Sequence, residues 1–255
     1  MTHAGDSKTL RTTETSIEVL NLLEEVNGAR VSEIADRMGK PKSTIHGHLA
    51  TLKEKQFVIQ EGDFYLLGPE LLRLGNQVRT RESGFVLARK FTERLFEETG
   101  LRSTFAVEMG GRAVFLHTAS GNKMGWAHEQ LGNSLYLHNT AVGKAILAEL
   151  PDSRIGQIID RWGLPAETEN TITDRDALFA ELETIREQGY AVNRAENFKE
   201  LYAIGDAATR HPGDVIGGFS VTGPEHAITG ADREAELART VTDMVTEFEL
   251  ELALA

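Results

Sequence analysis

Apolar positions in the first third of the chain recur at helical spacing in short blocks. Residues 15–26 read as a helix: Ile17, Val19, Leu20, Leu22, Leu23 and Val26 give it a broad apolar face. Thr15 and Glu18 have the spacing of a capping box at its start. Asn27 and Gly28 end it. Ser32 is expected to cap a second short helix that turns Ile34, Ala35 and Met38 inward, and Gly39 to supply the tight turn after it. Pro41 suits a first helical position, where a missing N–H costs nothing. The helix it opens, 41–55, carries Ile45, Leu49 and Leu52 at i, i+4 and i+7. Strands over 57–60 and 64–67 then flank a Glu61, Gly62, Asp63 turn. Three helices followed by a β-hairpin are the plan of a winged helix-turn-helix. Residues 69–79 read as a linker helix with Leu71, Leu72, Leu74 and Val78, and polar residues 79–84 mark a boundary.

Beyond it, helix and strand patterns mix. Residues 85–99 form an amphipathic helix stopped by Gly100. Segments 103–108 and 113–118 alternate around Gly110 and Gly111, which suits a hairpin. Helices are expected over 139–150, 152–162, 174–188 and 231–255, and strands over 190–192, 201–207 and 215–222. Helices outside an antiparallel sheet make the second part an α+β domain. The expected domains are 1–79 and 80–255.

Composition narrows the chemistry. The chain has 255 residues, 40% hydrophobic and 26% charged, enough apolar material for a real core. It has no cysteine, which excludes disulfides, thiolate nucleophiles and Cys-based metal sites. No apolar run reaches membrane-spanning length, and residues 1–11 lack the apolar stretch of a secretory signal, so a cytoplasmic location is expected. The net charge of −12 is divided unevenly: residues 1–79 carry 10 basic and 11 acidic side chains, residues 80–255 carry 17 and 28. Within the first part, 37–55 holds five basic residues against one acidic, Glu54. A near-neutral head with a basic helix can meet phosphates; an acidic body repels them. The acid excess suits a salt-adapted host, and many acidic bacterial proteins share it.

In a helix-turn-helix the second helix of the pair lies in the major groove. Here that helix leaves Lys42, Ser43, Thr44, His46, His48 and Thr51 near or on its outer faces, with Gly47 among them. Ser, Thr and Lys serve phosphates, and Lys or His can donate to guanine acceptors. These six are the expected DNA-binding residues; a solvated face on a protein-interaction module is the plainer alternative.

Enzyme motifs fail on inspection. Gly143 and Lys144 resemble the end of a P-loop, but His138 stands where the first Gly belongs and Ala145 where Ser or Thr would hold magnesium. His128 and Glu129 begin a zinc-protease pattern that Gly132 breaks. Gly218 and Ser220 approach a nucleophile elbow that Thr222 spoils. No cofactor, metal or catalytic residue is expected. A pocket fits better: the small residues Thr140, Ala141, Val142 and Gly143 open a helix whose free N–H groups can receive an anion. Ser220 and Thr222 share one strand face, and Asn193 carries both a donor and an acceptor.

The segment VSEIADRMGKPKSTIHGHLATL, residues 31–52, resembles the helix-turn-helix of the IclR family of transcriptional regulators, and YLLGPELLRLG, 65–75, resembles its wing end and linker helix. GNSLYLHNTAVGKAILA, 132–148, resembles the signature of that family's effector-binding domain; GYAVN, 189–193, and FSVTGP, 219–224, fit it too. The resemblance implies a GAF-like α/β effector-binding domain with an antiparallel sheet. It also implies a small organic-acid effector and a homodimer or homotetramer on double-stranded operator DNA. Carried over position by position, it implies an effector site of Met124, Leu135, Ala141, Val142, Asn193, Leu201, Ala203, Ser220 and Thr222. Three positions depart from the family pattern. Gly47 replaces a usual Arg in the reading helix, Asn193 a frequent Asp, and Ala203 a frequent Cys or Ser. A DNA-binding oligomer that needs no effector is the second reading, favoured by the reduced polarity at Asn193 and Ala203.

Overall fold

The computed structural model describes residues 9–121 and 131–254. The chain divides into two compact units, 1–78 and 79–255. The first contains α1 (Arg11–Glu25), β1 (Ala29–Arg30), α2 (Val31–Met38), α3 (Lys42–Glu54), β2 (Val58–Glu61) and β3 (Phe64–Leu67), and the boundary falls at the end of α4 (Pro69–Arg79). Val19, Leu23, Ile34, Ile45, Leu49 and Val58 meet in one core under a three-stranded sheet ordered β1-β3-β2. Gly39 closes α2 in the left-handed conformation at φ 60°, which a side chain resists.

Three local expectations are corrected here. α1 starts at Arg11, and its N-cap Leu10 makes no side-chain bond, so Thr15 and Glu18 form no capping box. The reason is burial: Thr15, Val19 and Leu23 line one face at i, i+4 and i+8, so the helix runs a turn further back. Ser32 does not cap α2. Arg30 is its N-cap, and the Arg30 N–H donates to the Glu33 carboxylate at 2.7 Å. Pro41 is the N-cap of α3 rather than its first helical residue: its ψ of 140° is extended, while its carbonyl accepts from Thr44 N and Ile45 N.

The second unit contains α5 (Ser83–Thr99), β4 (Arg102–Met109), β5 (Arg112–Ala119), β6 (Ser134–Tyr136), α6 (Ala141–Glu149), α7 (Asp152–Trp162), α8 (Arg175–Gln188), β7 (Ala191–Arg194), β8 (Leu201–His211), β9 (Asp214–Pro224), α9 (Glu225–Ile228) and α10 (Ala231–Ala253). Its six-stranded antiparallel sheet is ordered β6-β5-β4-β9-β8-β7. One face is sealed by α5 and α10 through an aromatic cluster, in which Phe219 lies 4.8 Å from Phe105 and 5.2 Å from Phe248. Burying each such ring stabilises the fold by roughly 1.5–3 kcal/mol. The other face meets α6, α7 and α8 through Val142, Ile146, Ile155, Leu178 and Leu182. β6 is an unexpected strand, and α6 starts at Ala141 rather than at residue 139. Three residues are too few for alternation to reveal a strand.

Charged side chains reach the interior of this unit. Lys144, 1% exposed in the middle of α6, pairs with Glu181 at 2.7 Å and Glu196 at 2.8 Å. Asp206 on β8 is pushed up to about 7 by burial, although the Ala207 N–H donates to it; Glu249 of α10 and Glu149 of α6 add like charge. A raised carboxyl holds its proton longer folded than unfolded. Its contribution is therefore fullest below its ordinary value of 3.8 and is lost as pH rises toward 7. Asp206→Asn removes that pH-dependent loss, worth at most about 4 kcal/mol. The variant should melt higher than wild type at pH 8 and lose most of that advantage at pH 5, in parallel thermal melts. A parallel offset at both pH values would contradict a titrating Asp206.

Lys144→Met strands the Glu196 carboxylate in the interior and should cost about 3–5 kcal/mol in denaturant unfolding. Adding Glu196→Gln should recover part of the loss.

Candidate functional site

The reading face of α3 follows from its buried face. With Ile45, Leu49 and Leu52 turned inward, the 100° step per residue puts Ser43, Gly47, Ala50 and Glu54 outermost. Lys42 and His46 flank this stripe on one side, Thr44 and Thr51 on the other. All four are exposed. His48 is only half-exposed, and its Nδ1 shares a 2.8 Å hydrogen bond with Ser16 Oγ of α1, so it braces two helices as well as bordering the open face. Thr51 Oγ1 donates back to the Gly47 carbonyl. Basic neighbours outside the helix face are largely engaged: Lys40 meets Glu18 at 3.5 Å and Arg37 meets Glu25 at 3.8 Å. Lys42 has no ion pair among the described residues. The hairpin tip is acidic, with Glu61 and Asp63 both exposed.

In the second unit, eight of the nine expected residues line one cavity of about 30 Å³: Leu135, Ala141, Val142, Asn193, Leu201, Ala203, Ser220 and Thr222. Met124 lies outside the described residues. These eight come from four strands and the first turn of α6. Cross-strand register puts Arg102, Thr222, Ala203 and Asn193 in one row across β4, β9, β8 and β7, and Thr104, Ser220, Gly205 and Ala191 in the next. Two residues apart on each strand, the rows share a face. Gly205 brings that face against α6: a Cβ there would lie 2.8 Å from the Val142 nitrogen. Thr140 caps α6 by accepting from Gly143 N at 3.1 Å, so the N–H groups of Ala141 and Val142 stand ahead of the first helical bond.

The polar atoms of the cavity are partly committed. Ser220 Oγ and Thr104 Oγ1 bond at 2.8 Å. Asn193 lies inside β7 rather than after a strand end, and the protein uses both ends of its amide. Nδ2 donates to the Asn139 carbonyl at 2.5 Å and to Asn197 Oδ1 at 3.2 Å, and Oδ1 accepts from Glu196 N at 3.0 Å. Asn193 thus shapes the site before it can serve a ligand. The loop it braces carries Asn197 and Phe198 into the lining. Ala195 and Glu200 bracket that loop with φ near 58° and 65°, a conformation that costs an ordinary residue roughly 1–2 kcal/mol.

Sequence reasoning named Thr140 as part of the pocket but missed Arg102, Phe115, Asn197 and Phe198 as lining residues and Lys144 as their support. Lys144 had a signal: one cation inside an otherwise apolar helix implies a buried partner. Arg102 had none, because a strand's first residue is usually solvated.

A winged helix-turn-helix followed by an α/β unit of this build defines a DNA-binding transcriptional regulator. The pattern described as the IclR helix-turn-helix domain matches residues 13–62, and that described as the bacterial transcriptional regulator IclR C-terminal matches 85–249. The chain belongs to the IclR family of transcriptional regulators. Among its relatives is a probable HTH-type transcriptional regulator ArcR of Halobacterium salinarum, 28% identical over 98% of this chain and 97% of that one. The crystal structure of the Thermotoga maritima IclR superposes with a TM-score of 0.80 at 26% identity, over 96% of this chain and all of that one. An IclR homologue of Microbacterium hydrocarbonoxydans, complexed with 4-hydroxybenzoate, shares the fold at a TM-score of 0.76 and 18% identity, covering 96% and 100% of the two chains. The relatives are regulators rather than enzymes. Among the described residues no helix is long and apolar enough to cross a membrane.

Gly47 offers a direct test of the α3 face. A Cβ there would meet nothing within 4 Å. Gly47→Ala should stabilise the chain by about 1 kcal/mol in denaturant unfolding. Gly47→Arg should tighten DNA binding and steepen its logarithmic salt dependence by about one ion in anisotropy titrations. Unchanged affinity and slope would remove Gly47 from the DNA-facing surface.

Proposed function

We propose that residues 1–79 read operator DNA through Lys42, Ser43, Thr44, His46, His48 and Thr51. Residues 80–255 bind a small organic acid in the cavity at the start of α6 and thereby change operator affinity. One observation carries this reading: residues from β6, α6, β7, β8 and β9 converge on a single buried cavity beside a helix N-terminus, where anions are favoured. The Microbacterium relative that holds 4-hydroxybenzoate supports a small acid as the ligand class. The protein works in the cytoplasm as a homodimer or homotetramer, since one winged helix buries too little surface for tight specific binding. α4 supports an oligomer, with Leu72 77% exposed and Leu74 and Val78 also exposed. Ligand binding acts by favouring one of two arrangements of the paired DNA-binding heads.

The cavity's small volume and the commitment of the Asn193 amide favour a second reading, an oligomer that binds DNA without an effector. One experiment separates them. The full chain is titrated with fragments of its own upstream DNA at two salt concentrations, with and without a panel of small carboxylic acids. Specific binding that one acid shifts by tenfold or more is the expected result. Specific binding that no acid alters would leave the effector-independent reading.

A further inference from the structure

The cavity is too small for the ligands proposed for it. Its volume of about 30 Å³ holds about two waters, less than a small organic acid needs. Some of the lining must move before an acid enters, and close-packed buried side chains resist moving. Among the described lining residues only Phe198 is exposed, at 43%. Its ring joins none of the hydrophobic clusters. An aromatic side chain that lines a cavity and also meets solvent stands at its mouth. The loop that carries it, residues 195–200 between β7 and β8, is fastened unevenly. Thr168 and Thr171 hold the carbonyls of Ala195 and Glu196, Lys144 holds the Glu196 carboxylate, and Asn193 Nδ2 donates to Asn197 Oδ1. Beyond Asn197 the hydrogen bonds stay within the hairpin. Phe198 N donates to Asn197 Oδ1 at 2.9 Å, and Leu201 N donates to the Phe198 carbonyl at 3.3 Å. Among the described residues, the side chains of Lys199 and Glu200 form no hydrogen bond or ion pair.

We propose that Phe198 is the gate of this cavity and the residue that sets the size of the acid it holds. The inference rests on the reading of the cavity as an effector site. The ring swings outward about its own side-chain torsions, and residues 198–200 follow while 195–197 stay pinned. An exposed ring has few contacts to lose, and exposed side chains change rotamer quickly. The acid enters with its carboxylate toward the N–H groups that open α6 and its apolar body toward the loop. The ring then closes over that body and buries apolar surface of both. Closure also removes water from the carboxylate, which strengthens its attraction to the N–H groups. The side chain at position 198 therefore decides how large a body fits under the closed gate. A smaller one admits a larger acid and seals it less well; a larger one excludes it.

The test uses the full-length protein and four acids of increasing size: acetate, pyruvate, benzoate and 4-hydroxybenzoate. Calorimetric titration gives their affinities and exchange broadening in ligand NMR spectra gives dissociation rates. Both are measured on wild type, Phe198→Ala, Phe198→Trp and the cavity-filling Ala203→Leu. The expected result is that wild type binds at least one acid and Ala203→Leu loses it. Phe198→Ala releases that acid at least about tenfold faster and shifts the preference among the four toward the larger by at least about tenfold. Phe198→Trp shifts it toward the smaller. Without ligand, Phe198→Ala should melt as wild type does, because an exposed ring supports little of the core; a much lower melting temperature would make the ring structural and contradict a gate. If both Phe198 variants keep the wild-type preference and dissociation rate while Ala203→Leu does not bind, the cavity reading stands and the role of Phe198 is overturned. If no acid binds wild type, or Ala203→Leu binds unchanged, the cavity reading falls and takes this inference with it.

Discussion

A lysine ammonium buried in the middle of an apolar helix must be neutralised, and the way Lys144 is neutralised organises the second unit. Its two carboxylate partners come from different places. Glu181 sits on α8, and Glu196 sits in the loop after β7. Glu196 in turn gives its N–H to Asn193 and, through Oε1, accepts from the Arg194 N–H. Thr168 and Thr171 hold the same loop by its carbonyls. One buried cation therefore ties helix, neighbouring helix and loop together. The cavity lies where these pieces meet the sheet, and its shape depends on charges that never enter it.

The two units divide the electrostatic work. The first is nearly neutral overall and turns its uncommitted side chains outward on α3, while Glu18 and Glu25 pair with the basic residues behind that helix. Glu61 and Asp63 at the hairpin tip oppose close approach of phosphate there. That leaves the first turns of α3 as the surface proposed for DNA contact. Among the described lining residues of the second part's cavity, Arg102 is the charged one, and it is buried. A surface rich in acid can still host an anion site, because only the local, desolvated field decides what enters.

Elements with sustained periodicity were legible from the sequence. α3, α4, α7 and the hairpin of β4 and β5 lie where the apolar pattern puts them. Short pieces were not: β1 and β6 have two and three residues, and their pairing is set by partners far along the chain. The start of α1 was misplaced because a threonine that looks like a cap is buried on the helix face instead. Likewise the pocket's small residues and its Ser220 and Thr222 had a local signature, and Lys144 stood out as a cation in an apolar helix, whereas Arg102 had none. Whether a charge is buried depends on what covers it, and that is tertiary information. Asn193 shows the reverse case: its polarity suggested a ligand contact, and the fold spends it on the loop.

The claim at the centre of this account is that a small acid is held between the first turn of α6 and the loop that Lys144 pins. Amide hydrogen exchange on the full-length protein tests it most directly, with and without the acid that most raises its melting temperature. The account predicts slowed exchange at residues 140–143 and 195–203, with the core strands unchanged. Protection confined to other segments, with both of these exchanging as before, would contradict it.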